Sequence, residues 1–266
     1  MKIVRVEAPG RPMVGMVHEP RRFSTGHCVL LVNPFGQEAT RTSTLYRALA
    51  DELAARGIVA LRFDLHGTGE SPGDGEDQSL AAWIVDVRAA GRYLVERWRP
   101  SRISWIGMGL GATAALKAVI GARPQPDRLV LINPVVDGIR YVERLCAAHR
   151  RSLEMDFNMP WSFLHDAMGE PEPVVPGVVL GYPVPPALVW ELQALKADVH
   201  ASLARVAGRV VLVADGEDED HLDAVLARSD VEKRQVRSTV DWLSNEALGT
   251  ALVPASLRDA VLQAVV

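Results

Sequence analysis

Ile103-Ser104-Trp105-Ile106-Gly107-Met108-Gly109-Leu110-Gly111 is an apolar run that enters a glycine-rich turn and then an alanine-rich helical pattern. That is the context of a nucleophile elbow, a sharp strand-to-helix turn that lifts one side chain to the top of a sheet. Small residues at 107 and 111 let strand and helix meet closely. The presented residue must carry a nucleophile, with a base to take its proton. Here the position is Gly109, which cannot attack anything. The backbone part of such a site survives. Asn33-Pro34-Phe35-Gly36 resembles the turn whose amide serves the oxyanion hole beside such an elbow, and the resemblance implies that role for the amides of Phe35 and Leu110.

The acid and base positions are also unusual. After the strand Arg209–Ala214 the chain reads Asp215-Gly216-Glu217-Asp218, where Asp218 is the preferred acid and Asp215 the alternative. A triad histidine should follow the last strand, yet no histidine occurs after His221. Substitute bases are His221, His66 and Glu38, the last of which follows the Phe35 turn. Met108, Trp161 and His165 are candidates to line a ligand site. Gly107-Met108-Gly109-Leu110-Gly111-Ala112 also fits a dinucleotide fingerprint, but it follows the third βα unit and the next strand ends in Asn133-Pro134, without the acid that binds ribose. No cofactor is expected. Glu217-Asp218-Glu219-Asp220 reads as a solvated acidic turn, and no metal site is expected. Cys28 and Cys146 lack metal-ligand spacing and read as packing thiols.

The elements that must hold these residues alternate. Val4–Ala8 and Met13–His18 predict an N-terminal hairpin, and Cys28–Asn33 a buried strand. Leu45, Leu49 and Leu53 mark a helix capped by Ser43 or Thr44 and stopped by Gly57. Ile58–Leu65 is a strand. Leu80, Trp83, Val87, Leu94 and Trp98 stripe a long helix. Strands Ile103–Ile106, Leu129–Asn133, Arg209–Ala214 and Glu232–Val236 follow, with a last helix near Ala255–Val265. Alternating strands and helices predict a mostly parallel twisted sheet with helices on both faces. Between Pro134 and Val206 no clear strand is visible, although Tyr141–Arg151 looks helical. An excursion of that length, about 136–205, predicts a cap or lid over the carboxyl ends of the strands; a packing excursion on the sheet's flank is the alternative.

The 266 residues suit one large α/β domain, 1–266, and are 48% hydrophobic, which excludes disorder. A net charge of −4 leaves no basic field for nucleic acid. Arginine outnumbers lysine, of which only Lys2, Lys117, Lys196 and Lys233 occur, as expected of a GC-rich bacterial genome. The N-terminus has no signal-peptide run, and the apolar stretch Pro173–Trp190 is broken by prolines, so no membrane span is expected. These features predict a cytoplasmic protein.

Asp64-Leu65-His66-Gly67-Thr68-Gly69-Glu70-Ser71 resembles the Asp-x-Arg-Gly-x-Gly-x-Ser turn of α/β-hydrolases, with His66 for arginine. With the elbow and the turns at Asn33 and Asp215, it covers most of the chain outside the excursion. A finer resemblance, through Asn33–Glu38, Asp64–Ser71, Asn133–Gly138 and Gly181-Tyr182, is to the exosortase A system-associated hydrolase 2 group, whose elbow also lacks serine. This chain has Gly109 where that group tends to have arginine, and Asn33 where it has histidine. The resemblance implies an α/β-hydrolase fold and a hydrolase of ester or thioester type by fold. The residues leave two readings: an acyl or glycan-related ligand handled by non-triad chemistry or very weak hydrolysis, or a pseudohydrolase that binds a ligand or protein partner.

Overall fold

The computed structural model describes residues 1–168, 175, 177–216, 230–238, 240–244 and 253–265. Among the described residues, the alternation expected from the sequence is realised as eight strands in one sheet. β1 (Lys2–Ala8) and β2 (Arg11–His18) form the antiparallel hairpin, and β2 pairs antiparallel with β4 (Val59–Phe63). β4 then joins β3 (His27–Val32), β5 (Arg102–Met108), β6 (Arg128–Ile132), β9 (Arg209–Asp215) and β10 (Glu232–Val236), all parallel, in the order β1-β2-β4-β3-β5-β6-β9-β10. The central strands are continuous apolar runs because helices cover both faces.

On one face lie α1 (Gly36–Ala55) and α8 (Ala255–Val265), packed on Val29, Leu31, Ile106, Ile132 and Val211. On the other lie α2 (Leu80–Trp98) and α3 (Gly109–Val119), packed on Leu30, Val32, Trp105 and Leu131. Ser79 caps α2, its hydroxyl accepting from the Ala82 amide. The start of α1 differs from the sequence expectation. It begins at Gly36, with Phe35 as N-cap, well before Ser43 and Thr44. The apolar periodicity marks only the part of α1 that packs on the sheet. Its polar first turn, Gln37 to Arg41, lies beyond the strands and over the site.

The excursion between β6 and β9 holds α4 (Gly138–Phe157), α5 (Trp161–Met168), α6 (Pro186–Gln193) and α7 (Leu195–Leu203). It also holds a small hairpin that the sequence reading missed, β7 (Val178–Val179) with β8 (Tyr182–Pro183). Two-residue strands are too short to leave an alternation signal. The loop Leu180-Gly181 has φ of +53° and +85°, the left-handed pair that a two-residue hairpin turn requires. The Glu191 carboxylate of α6 accepts from the Leu80 amide, tying the excursion to the start of α2. No helix among the described residues is long and apolar enough to cross a membrane.

At the opposite end of the sheet, His27 Nε2 lies 2.9 Å from the Ser104 hydroxyl, and both side chains are buried. Burial, then the charges of Arg102 and Arg128, depress the His27 pKa to about 4. Burial also lowers the pKa of His18. Between pH 6.5 and about 4 the unfolded chain therefore binds more protons at His27 than the folded one. This stability is complete above the unfolded histidine pKa and is lost as pH falls through that window. We expect thermal melts to show a loss of about 2 kcal/mol from this group, and His27→Gln to flatten the slope. An unchanged slope in the variant would show that His27 is not the group responsible.

Candidate active site

The elbow forms where β5 meets α3. Gly109 has φ of +55°, in the left-handed region that glycine enters without strain. A Cβ on Gly111 would stand 2.1 Å from the Asn33 carbonyl oxygen, and one on Gly107 would stand 2.6 Å from Ala112 Cα. Both close approaches require glycine, as the spacing implied. At Gly109 the surroundings are roomier: a Cβ there would meet Glu38 Oε2 at 3.4 Å and Pro34 Cβ at 3.5 Å. The place a catalytic side chain would enter therefore faces a carboxylate.

Glu38 is the third residue of α1, and its side chain is buried at 9% exposure. The Tyr141 hydroxyl of α4 donates to Oε2 at 3.0 Å. Burial pushes the Glu38 carboxyl above the usual carboxylate range, with Asp241 adding in the same direction. The Tyr141 hydrogen bond and the charges of Arg144 and Arg41 pull it back. Its place in the first turn of a helix also favours the ionised form. Tyr141 is raised well above the ordinary phenol value by burial, then by the Glu38 charge, and so remains a donor.

Three contacts fix this corner. Arg41 donates to the Trp242 carbonyl at 2.9 Å, joining α1 to the segment after β10. Tyr182 of β8 covers Gly36, where a Cβ would lie 3.5 Å from its ring, and bonds the Thr40 hydroxyl. Asp137 caps α4 through the Arg140 amide and so sets Tyr141 one turn into the helix. Phe35 packs its ring against Trp83 at 5.5 Å. The Leu110 amide lies in the first turn of α3, where helix N–H groups lack intrahelical partners.

Among the described residues, the other sequence candidates take part in other contacts. His66 Nδ1 is 3.0 Å from the Pro12 carbonyl oxygen and its backbone amide donates to Asp86, so its ring ties the turn after β4 to β2 and its backbone ties it to α2. Asn33 donates to the Phe63 carbonyl and to Asp64 Oδ1, bracing that same turn. Met108 is 2% exposed and packs in the core against the α1 face rather than presenting a ligand surface. Trp161 opens α5, its ring 5.4 Å from the Arg150 guanidinium. His165 lies in α5 but its side chain is outside the described residues, as are Asp218, His221 and the acidic run 217–220. Among the described residues no three His, Cys, Asp or Glu side chains group as metal ligands.

Of the two acid alternatives, Asp215 is described. It accepts from the Ser238 amide at 2.7 Å and from the Ser238 hydroxyl, so the segment after β10 reaches the acid with a serine. Tyr141 was not singled out by the sequence. Its only signal is Asp137-Gly138, a helix start that puts residue 141 on the inward face.

Residues 29–159 match the family model described as serine aminopeptidase, S33. An uncharacterized protein of Mycobacterium tuberculosis is 34% identical over 141 residues, covering 49% of this chain and 47% of that protein. The chain thus spans about half the length of the curated relatives it matches. Among solved structures, an alpha-beta serine hydrolase homologue from Coxiella burnetii shares 15% identity with a TM-score of 0.64, covering 100% of this chain and 97% of that one. Est1E from Butyrivibrio proteoclasticus with bound ferulic acid shares 15% identity with a TM-score of 0.65, covering 98% of each chain. At such identities the likeness is one of fold.

Proposed function

We propose that the chain, whose fold is that of the α/β-hydrolases, binds an acyl or ester-type ligand and acts on it through Glu38 instead of a serine. The observation that carries this reading is the Glu38 carboxylate 3.4 Å from the point where a Cβ on Gly109 would stand. A water entering that space takes the role of the serine hydroxyl. Glu38 accepts its proton as the oxygen attacks the ligand carbonyl carbon. The carbonyl electron pair moves onto oxygen, which the Phe35 and Leu110 amides receive. Collapse of this intermediate expels the leaving group, which takes the proton from Glu38. No covalent acyl-enzyme forms, and the rate is modest: oxyanion and binding assistance supply about 10³–10⁴ over water, to which the base adds its share.

The insert acts as a cap in this reading, supported by Tyr141 on Glu38 and Tyr182 over Gly36. A second reading, a pseudohydrolase that binds an acyl or glycan-related ligand or a protein partner without turnover, is favoured by the depth at which Glu38 is buried. A panel of aryl esters and thioesters, run beside a fluorophosphonate probe, separates them. We expect slow turnover with no burst and no stoichiometric adduct. Binding without turnover selects the pseudohydrolase, and a stable adduct overturns both readings. Gly109→Ser in the same assay is expected to melt slightly lower, because φ of +55° strains a residue with a Cβ by about 1 kcal/mol. It should gain no fast esterase activity, since no histidine follows β10. Robust ester turnover by Gly109→Ser would reveal a hidden base.

A further inference from the structure

Tyr141 is 103 residues from Glu38 in sequence and meets it only because α4 descends onto the first turn of α1. The oxygen it bonds, Oε2, is the same oxygen that faces the space beside Gly109. A carboxylate oxygen accepts at two lone-pair sites, so one remains for a group in that space. From this shared oxygen we infer that Tyr141 is the positioning residue of the site: its phenol holds Glu38 aimed at Gly109 and in the ionised form, so that the insert completes the site. The inference deepens the reading of Glu38 as a base and rests on it.

The groups that bear on the Glu38 charge come from every neighbouring element. Arg41 and Tyr46 lie on α1, Tyr141 and Arg144 on α4, and Asp241 after β10. Among them Tyr141 donates a hydrogen bond to the carboxylate. Loss of its hydroxyl removes a donor to a buried charge while leaving the ring to pack against the same neighbours. A charge-assisted hydrogen bond of this kind corresponds to about a tenfold bias toward the ionised carboxylate.

The test is Tyr141→Phe in the full chain. Carboxyl infrared difference spectra across a pH titration report Glu38 directly in the ligand-free protein, with Glu38→Gln identifying the band. We expect the Glu38 midpoint to move to higher pH in Tyr141→Phe while circular dichroism stays unchanged. On the acid limb of the aryl-ester profile, turnover should fall about tenfold and recover at higher pH. An unmoved Glu38 band overturns the assignment, whatever the activity does. A shifted band without turnover in either protein supports the role of Tyr141 and instead sinks the reading of Glu38 as a catalytic base. If Tyr141→Phe does not fold, the titration of the Glu38 band in wild-type protein with 3-fluorotyrosine incorporated decides the matter: a midpoint moved to lower pH by the more acidic phenol supports the assignment, and an unchanged midpoint overturns it.

Discussion

Glu38→Gln is expected to lower aryl-ester or thioester turnover by about 10²–10⁴, the usual contribution of a positioned general base. The amide keeps the volume of the side chain and an oxygen that can accept from Tyr141, so ligand affinity should stay within a few-fold. Stability should hold or rise, because a carboxylate in a buried place is costly and the amide carries no charge. That combination, lost chemistry with an unchanged or higher melting temperature, separates a base from a packing residue. The pH profile of the wild type adds a second check. Burial raises the Glu38 pKa, so turnover should fall as pH drops through a midpoint above that of a free glutamate. Turnover that survives Glu38→Gln with its profile intact would assign the chemistry to another group.

Gly111→Ala should be among the most damaging single-methyl additions to the protein. The added Cβ would lie 2.1 Å from the Asn33 carbonyl oxygen, 2.7 Å from its carbon and 2.9 Å from the Val32 oxygen. All three are backbone atoms at the end of a central strand, so none can swing aside as a flexible side chain would. Relief requires α3 to move off β3. We expect a loss of about 3 kcal/mol or more in urea unfolding, at the upper end for an overpacked core. Gly10→Ala is the matching control, since its φ of +69° is strained but nothing lies within 4 Å of the added Cβ. A cost at Gly111 no larger than at Gly10 would mean that the elbow can open without penalty.

The elbow also shows why some of the site was legible in advance. Backbone approach at Gly107 and Gly111 admits only glycine, so sequence spacing carried that geometry. That glycine occupies position 109 of the turn was equally plain, because an absent side chain needs no structure to interpret. The start of α1 was not legible. Helical periodicity reports the face that packs on a sheet, whereas Gly36 to Arg41 lies past the strand ends and carries polar residues. His66 illustrates the opposite error: a histidine in a loop after a strand suits catalysis by type, but its ring is spent on the Pro12 carbonyl.

The sequence by itself determined the alternating parallel architecture, the close strand-to-helix turn and the absence of a serine or following histidine. These depend on local properties: runs of apolar residues that need cover on both faces, and glycines where no Cβ fits. Only the tertiary structure decided which side chain faces the Cβ position of Gly109. Glu38 sits on α1, Gly109 at the start of α3 and Tyr141 on α4, and the three meet through the packing of separate elements. No spacing along the chain encodes that meeting, because the distance between side chains on different helices is set by how each helix docks on the shared sheet.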